Sequence, residues 1–393
     1  MATTFTNAYE KLFGNIEQNL KAFTVSDAIA GREAHNALLR NGGKQYQYTS
    51  YEEGTAQDVT QYSDMTIDGY TATAVTMDLD TESSYAFNLD EFDKGKYAGS
   101  MEFLQNRFTN AMKIMRKEQD GNFLNLYSDA TNTFDDGDIG GTAGDAITLT
   151  SSNVIQTFAE AQATVQRVTG DQQNLMCVIT PSQKAKMLQS GASNGFQVAD
   201  SILRNGYQGK GFLDIDIYLS SYLSHEIVLT NTGNVSADDT LTVNGVTFTF
   251  KASPAAANEV DVGVDAETSF SNLAAAINQG AGAGSAYIAA SAADARILRG
   301  LTATSTATTL TIVSKWGQMT VSESLANVTA GTQFVHNIMG EYGAIELANP
   351  FGIKSRVREE PKQLTANYIS ATQFGVKTPT FGKDKFLDLQ INV

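Results

Sequence analysis

Five apolar residues in a row, Leu175-Met176-Cys177-Val178-Ile179, run directly into Thr180-Pro181-Ser182-Gln183. The run reads as a strand, and the polar tetrapeptide marks the start of a helix. Thr180 can cap it, Pro181 suits its first position because no N–H is needed there, and Gln183 can reach back as in a capping box. After a glycine-rich stretch, Gly211-Phe212-Leu213-Asp214-Ile215-Asp216-Ile217-Tyr218-Leu219 leads into a second strand. Upstream, Val154, Ile155, Phe158, Ala161, Val165 and Val168 recur at helical spacing, with Ser151 or Ser152 as a cap and Gly170 at the C′ position. The order helix, strand, helix, strand predicts helices packed on a small sheet.

With 393 residues, of which 42% are hydrophobic, the chain can bury a core and hold two or three domains. Charged residues are only 18%, so Thr, Ser, Asn and Gln supply much of the polar surface, which suits large neutral contacts. The net charge of −16 argues against a reader of nucleic acid, since neutralising phosphates takes clustered Lys and Arg. It is compatible with an acidic wall around nucleic acid that must later leave. The single cysteine, Cys177, cannot form an intrachain disulfide and belongs to the core. Met1-Ala2-Thr3-Thr4-Phe5 carries no basic n-region or apolar h-region, and no run approaches the ~20 apolar residues of a membrane span. A cytoplasmic site of synthesis without membrane contact is expected.

Charge is distributed unevenly. Between Lys44 and Lys94 stand no basic residue and eleven acids: Glu52, Glu53, Asp58, Asp64, Asp68, Asp78, Asp80, Glu82, Asp90, Glu91 and Asp93. From Lys94 to Lys117 the balance reverses, with Lys94, Lys96, Arg107, Lys113, Arg116 and Lys117 against Glu102 alone. From Lys354 onward seven basic residues, Arg356 and Arg358 among them, face four acidic ones. The acidic stretch therefore has two basic counterparts, and Glu52, Glu53, Asp58, Lys94, Lys96, Arg107, Arg356 and Arg358 are candidates for contact between copies.

Ala8, Leu12, Ile16 and Leu20 give the first forty residues one narrow apolar face. The segments 71–79 and 84–89 alternate as strands around Asp80-Thr81-Glu82-Ser83 and predict a long hairpin or two neighbouring strands. Gly99 to Asp129 reads as one long helix, with Met101, Leu104, Phe108, Ala111, Met112, Met115, Phe123 and Leu126 near helical spacing, about 45 Å long at ~1.5 Å per residue. From about Thr230 to Thr332 the composition shifts to Thr, Ala, Ser, Asn and Gly. That stretch holds an Asn244-Gly245 hairpin, a strand over Val260 to Val264, a helix over Glu267 to Asn278 and a strand over Thr309 to Val313. It reads as a self-contained α+β insert able to fold alone. Phe386 to Val393 forms a terminal strand by alternation.

No motif assembles a catalytic centre. Gly191-Ala192-Ser193-Asn194-Gly195 matches the nucleophile-elbow pattern, whose serine needs a strand before it, whereas a helix precedes Ser193 here. His35, His225 and His336 lack the spacing of a metal site or triad. Asp214 and Asp216 share one face of a strand, which reads as a solvated face. Asp135, Asp136, Asp138 and Asp145 lack the spacing and closing Glu of a calcium loop. Gly209-Lys210-Gly211 is not a phosphate loop, and Asn234 and Asn327 head sequons without a secretory route. No catalytic, cofactor or metal residues are expected.

The Val178-Ile179-Thr180-Pro181 run, the Gly211 to Leu223 stretch and Gln373-Phe374-Gly375-Val376-Lys377 resemble segments of the major capsid protein of tailed phages, the Hong Kong ninety-seven type fold. The order of elements resembles it over nearly all of the chain except the insert. The resemblance implies an α+β subunit with an N-terminal arm (1–42), an extended β-hairpin loop with peripheral-domain strands (43–93), and a spine helix with the rest of the peripheral domain (94–145). An axial domain (146–229), an insertion domain (230–333) and a return to a peripheral-domain C-terminal strand (334–393) would follow. It implies self-assembly in hexamers and pentamers into an icosahedral shell around double-stranded DNA, bound without sequence specificity, in a virion assembled in the host bacterial cytoplasm. A portal protein and a decoration protein are partners of such shells. The absence of a long segment ahead of the arm implies a separate scaffolding protein, and Lys44 as the only lysine beside the loop argues against covalent cross-linking. The rival readings are an encapsulin-like nanocompartment, against which the insert counts, a hydrolase using Ser193, and an exported adhesin or surface-layer protein, which would need a signal.

Overall fold

A computed structural model of the chain describes residues 24–31, 45–51, 72–90, 101–170, 175–194, 215–350, 353–360 and 365–393. It divides into two units, Met1–Thr131 with Gly340–Phe386 and Asn132–Met339 with Leu387–Val393. The elements begin with a short helix α1 (Val25–Ile29), strands β1 (Gln45–Tyr51), β2 (Ala72–Asp78) and β3 (Thr81–Asp90), and the long helix α2 (Met101–Leu124), which tightens into a 3-10 turn over Asn125–Asp129. Next come β4 (Asn132–Phe134), α3 (Val154–Thr169), β5 (Leu175–Ile179), α4 (Pro181–Asn194), β6 (Ile215–Leu219) and β7 (His225–Asn231). The chain continues through β8 (Thr240–Val243), β9 (Val246–Lys251), β10 (Glu259–Asp261), α5 (Ala266–Asn278) and α6 (Ala292–Leu298). Strands β11 (Leu301–Ser305), β12 (Thr309–Ser314), β13 (Val321–Glu323), β14 (Val328–Ala330) and β15 (Phe334–Glu341) follow. The last are β16 (Glu346–Ala348), β17 (Ile353–Glu360), β18 (Thr365–Lys377) and β19 (Phe386–Asn392).

In the first unit β18 is the middle strand of an antiparallel sheet, paired with β3 on one side and β17 on the other. Alternation along β18 buries Tyr368, Ser370, Thr372 and Phe374 on one face. Helix α2 covers that face. Phe108 meets Phe87 and Tyr368 edge-on at 5.4 and 5.7 Å, while Phe87 and Tyr368 stack at 4.9 Å. Each such pair contributes ~0.5–1.5 kcal/mol beyond the area it buries. Ala111, Met112 and Met115, one or two turns further along α2, pack against Tyr85 and Ile353. The apolar spacing read for the long helix is thus its sheet-facing stripe.

The expected pairing of 71–79 with 84–89 is not formed. Strand β2 pairs along its length with β1, from Gln45 opposite Asp78 to Tyr51 opposite Ala72, and β3 pairs with β18. Only Leu79 and Asp80 separate β2 from β3, but Leu79 is buried with Met77 and Ala348 instead of turning outward. Its carbonyl accepts Gln373 Nε2 at 3.1 Å. Gly375 permits this path, because a Cβ there would lie 2.0 Å from the Asp78 carbonyl oxygen. The two strands therefore diverge, and β2 forms its antiparallel pair with β1.

The second unit contains the helix and strand order read at the chain's centre. β5 is fully buried and runs parallel to β6. The capping box forms as read: Gln183 N donates to Thr180 Oγ1 at 3.3 Å and Thr180 N donates to Gln183 Oε1 at 2.9 Å. Gly170 closes α3 at φ +66°, but Asn153, not Ser151 or Ser152, stands at its start. Phe158, Ala161 and Val165 of α3 share a core with Leu175, Cys177 and Ile179 and with Leu387, Leu389 and Ile391 of the chain's end. Strand β19 pairs in parallel with β4, so the terminal strand is an inner part of the sheet.

The Thr-rich segment has its own core, in which Phe248, Phe250, Val260, Phe270, Leu273 and Ile277 are buried. Asn244 and Gly245 take φ of +51° and +85°, the turn that a two-residue hairpin between β8 and β9 requires. The strand expected over Val260 to Val264 ends at Asp261, and Val264 is 94% exposed. There the chain leaves the sheet because Gly263 O accepts Asn234 Nδ2 and Gly263 N donates to Ser269 Oγ. The core begins before the composition changes: Ile227 and Leu229 of β7 belong to it, and β7 pairs with both β12 and β14. A fragment of residues 225–331 should therefore melt cooperatively, whereas 230–333, without those two side chains, should be less stable by ~4 kcal/mol or more. Equal melting temperatures for the two fragments would show that β7 contributes nothing to the insert.

Candidate assembly interface

Strand β17 reads Ile353-Lys354-Ser355-Arg356-Val357-Arg358-Glu359-Glu360, and a period of two puts Lys354, Arg356 and Arg358 on one face. All three are exposed, while Ile353 on the other face packs with α2. Register places Ala371 and Ser84 beside Lys354, Ile369 and Ala86 beside Arg356, and Asn367 and Asn88 beside Arg358. The outer sheet face is therefore a basic stripe bordered by six uncharged side chains. Residues two apart on a strand are about 7 Å apart, inside the ~8 Å screening length at physiological salt, so neighbouring cations of the stripe reinforce one another's field. Ile369, 38% exposed, gives the face an apolar point of contact.

Of the contact candidates read from sequence, Arg356 and Arg358 share this face and Arg107 is exposed on α2. Glu52, Glu53, Asp58, Lys94 and Lys96 lie outside the described residues. Asp78, Asp80 and Glu82 of the acidic stretch are exposed.

The chemical candidates take structural places. Ser193 lies within α4, so no strand leads into it. Cys177 is buried and its thiol is pushed up to about 12 by burial, which keeps it from acting as a thiolate. Asp135 accepts Gly137 N and Gly144 N, Asp136 accepts Thr142 N, and Asp138 accepts Asp135 N, so the acidic loop closes on its own backbone. Asp216 is on β6, while His35, Asp214 and Lys210 fall outside the described residues. Among the described residues no three metal-binding side chains converge, and no helix is long and apolar enough to cross a membrane.

One polar cluster escaped the sequence reading. His336 on β15 is 3% exposed and lies between two carboxylates, with Nδ1 2.8 Å from Asp388 on β19 and Nε2 3.1 Å from Glu226 on β7. Burial alone would lower its pKa, but the hydrogen bonds and charges of Asp388 and Glu226 outweigh burial and push it up to about 9. With both nitrogens held by carboxylates, neither can take a proton from a nucleophile, so the cluster is a clasp across three strands and not a triad. His225 is pushed down to about 4, by burial and then by the charge of His336.

No known family model matches the sequence, and no curated protein matches it. Among solved structures, one of Mycobacterium phage Che8 is similar over 93% of this chain and 90% of that chain, with a TM-score of 0.50 and 12% identity. The acid-stable capsid structure of Helicobacter pylori bacteriophage KHP30 aligns over 94% and 92% at 9% identity, TM-score 0.46. The capsid of a native GTA particle aligns over 93% of each chain at 8% identity, TM-score 0.44. The likeness to the Che8 structure establishes the fold, the α+β type that the resemblance in sequence implied.

The opposite shifts of the two histidines predict that their combined contribution to the second unit's stability is greatest near pH 6.5. His336 has a raised pKa, so its contribution is complete below 6.5 and lost as pH rises through 9. His225 has a lowered pKa, so stability falls as pH drops from 6.5 through 4. Thermal unfolding followed from pH 4 to 10 should show both slopes, the alkaline one on the order of 3 kcal/mol. His336→Gln should abolish the alkaline slope, and its persistence in the variant would place the titrating group elsewhere.

Proposed function

We propose that this chain is the major shell subunit of a tailed phage, many copies of which close into an icosahedral container for double-stranded DNA. The supporting observation is the match of its fold, over nearly its whole length, to a phage structure. The parts such a subunit needs accompany it. They are a two-stranded extension, a 24-residue helix held on a sheet, and a central sheet that takes back the chain's end. A subunit of this kind acts by packing against several neighbours and needs no catalytic group. A scaffolding protein, a portal protein and a decoration protein belong to this reading as partners, and the virion, assembled in the bacterial cytoplasm, as its location.

The contact we assign between copies joins the acidic segment carrying Glu52, Glu53 and Asp58 to a neighbour's Arg356 and Arg358, with Lys94, Lys96 and Arg107 as further cations. What supports it is the exposed alternation of Lys354, Arg356 and Arg358 along β17. Each exposed pair contributes only ~0.2–1 kcal/mol, but several repeated around a ring steer association and fix register. Reversing Glu52, Glu53 and Asp58 to Lys should slow assembly by tenfold or more at low salt, read by light scattering. Adding Arg356→Glu and Arg358→Glu to the same chain should restore much of the rate. Assembly of the first variant at the normal rate would remove the electrostatic contact, and failure of the compensating pair would move its partner elsewhere.

A further inference from the structure

The C-terminal half of α2 buries four polar residues, Arg116, Glu118, Gln119 and Asp120. Glu118 accepts Ser83 Oγ from β3. The others meet the α1 segment. Arg116 donates to Asp27 Oδ2 at 3.0 Å and to Gln119 Oε1 at 2.9 Å. Gln119 Nε2 donates to Ser26 Oγ at 3.0 Å and to Asp27 Oδ1 at 3.2 Å, and Asn349 Nδ2 donates to Gln119 Oε1 at 3.0 Å. Asp120 accepts from Ser26 twice, from the backbone N–H at 3.0 Å and from Oγ, and both bonds fall on Oδ1. The cation of the network, Arg116, is spent on Asp27. Asp120 is thus a buried carboxyl that faces the first turn of α1 with neutral donors and a second carboxylate nearby.

Burial and the nearby Asp27 carboxylate favour the acid form, against the donors of Ser26 and Val25, which favour the ion. A proton on Oδ2 leaves both Ser26 bonds on Oδ1 in place and removes a buried charge, whereas the ionised form keeps the bonds at the cost of desolvation and of repulsion from Asp27. We propose that Asp120 is a proton-sensitive latch for the α1 segment, which is held on α2 while the carboxyl is protonated and loosened when it ionises. Burial pushes Asp120 up to about 6, against the lowering effect of the Ser26 and Val25 donors, with Asp27 adding to the rise. A raised carboxyl pKa means that stability is lost as pH rises through 6. The charged groups packed around the latch are Asp27 on α1, Arg116 and Glu118 on α2, and Glu346 on β16, whose side chain approaches Gly31. The inference rests on contacts within one chain and stands independently of the shell reading.

Hydrogen exchange of the full-length protein, corrected for intrinsic rates, reads the opening of residues 24–31 from pH 5.0 to 7.5. With a pKa of about 6 against 3.8 unfolded, opening that exposes Asp120 should become about tenfold more frequent over this range. Asp120→Asn keeps an oxygen acceptor for Ser26 and carries no charge, so its α1 protection should be flat with pH. Arg116→Lys serves as a control that keeps the charge beside Asp27, and it should retain the slope. A wild-type protein with pH-independent protection of α1 would overturn the latch, and so would a slope that survives in Asp120→Asn.

Discussion

The burial of α2 on both an apolar and a polar side is the constraint around which the first unit is built. Phe108, Ala111, Met112 and Met115 face the sheet, and Arg116, Glu118, Gln119 and Asp120 are buried beyond them. Removing one partner of a buried charged pair costs about 3–5 kcal/mol, so every one of those polar groups needs its answer in the fold. Ser83 answers Glu118, Ser26 answers Asp120, Asp27 answers Arg116 and Asn349 answers Gln119. These residues come from β3, α1 and the segment after β16, so satisfying one helix ties together parts of the chain far apart in sequence.

In the second unit β7 has the corresponding role. Its Ile227 and Leu229 belong to the core of the inserted segment, and Glu226 holds His336 of the central sheet. One strand thus joins the insert to the sheet in which β19 and β4 pair. The insert is anchored through a shared strand, not only through its two chain connections, and this limits how freely it can move against that sheet.

Much of this was legible where local chemistry decides the structure. The Thr180 capping box, Gly170, the Asn244-Gly245 turn, the apolar stripe of α2 and the strand near the chain's end all depend on neighbours in sequence. What was missed depends on distant partners. Leu79 looked like part of a hairpin, and only the close approach of Asp78 to Gly375 sends the chain elsewhere. Strand β18 carries Thr, Asn, Ser and Gln, and its polar buried face becomes intelligible only with α2 lying over it. His225, Glu226, His336 and Asp388 have no telling spacing, because β7, β15 and β19 bring them together from afar. Of the contact candidates, Arg356 and Arg358 could have been raised to a pattern by the Lys354-x-Arg356-x-Arg358 alternation, whose period of two marks a strand face.

The central claim, that this fold works as a repeated unit of a closed shell, is tested most directly by electron microscopy of the purified protein concentrated at near-neutral pH. Closed particles, or five- and six-membered rings of the subunit, are the expected result. A uniform population of monomers or small dispersed oligomers at every concentration, with and without a co-expressed scaffolding protein, would contradict it.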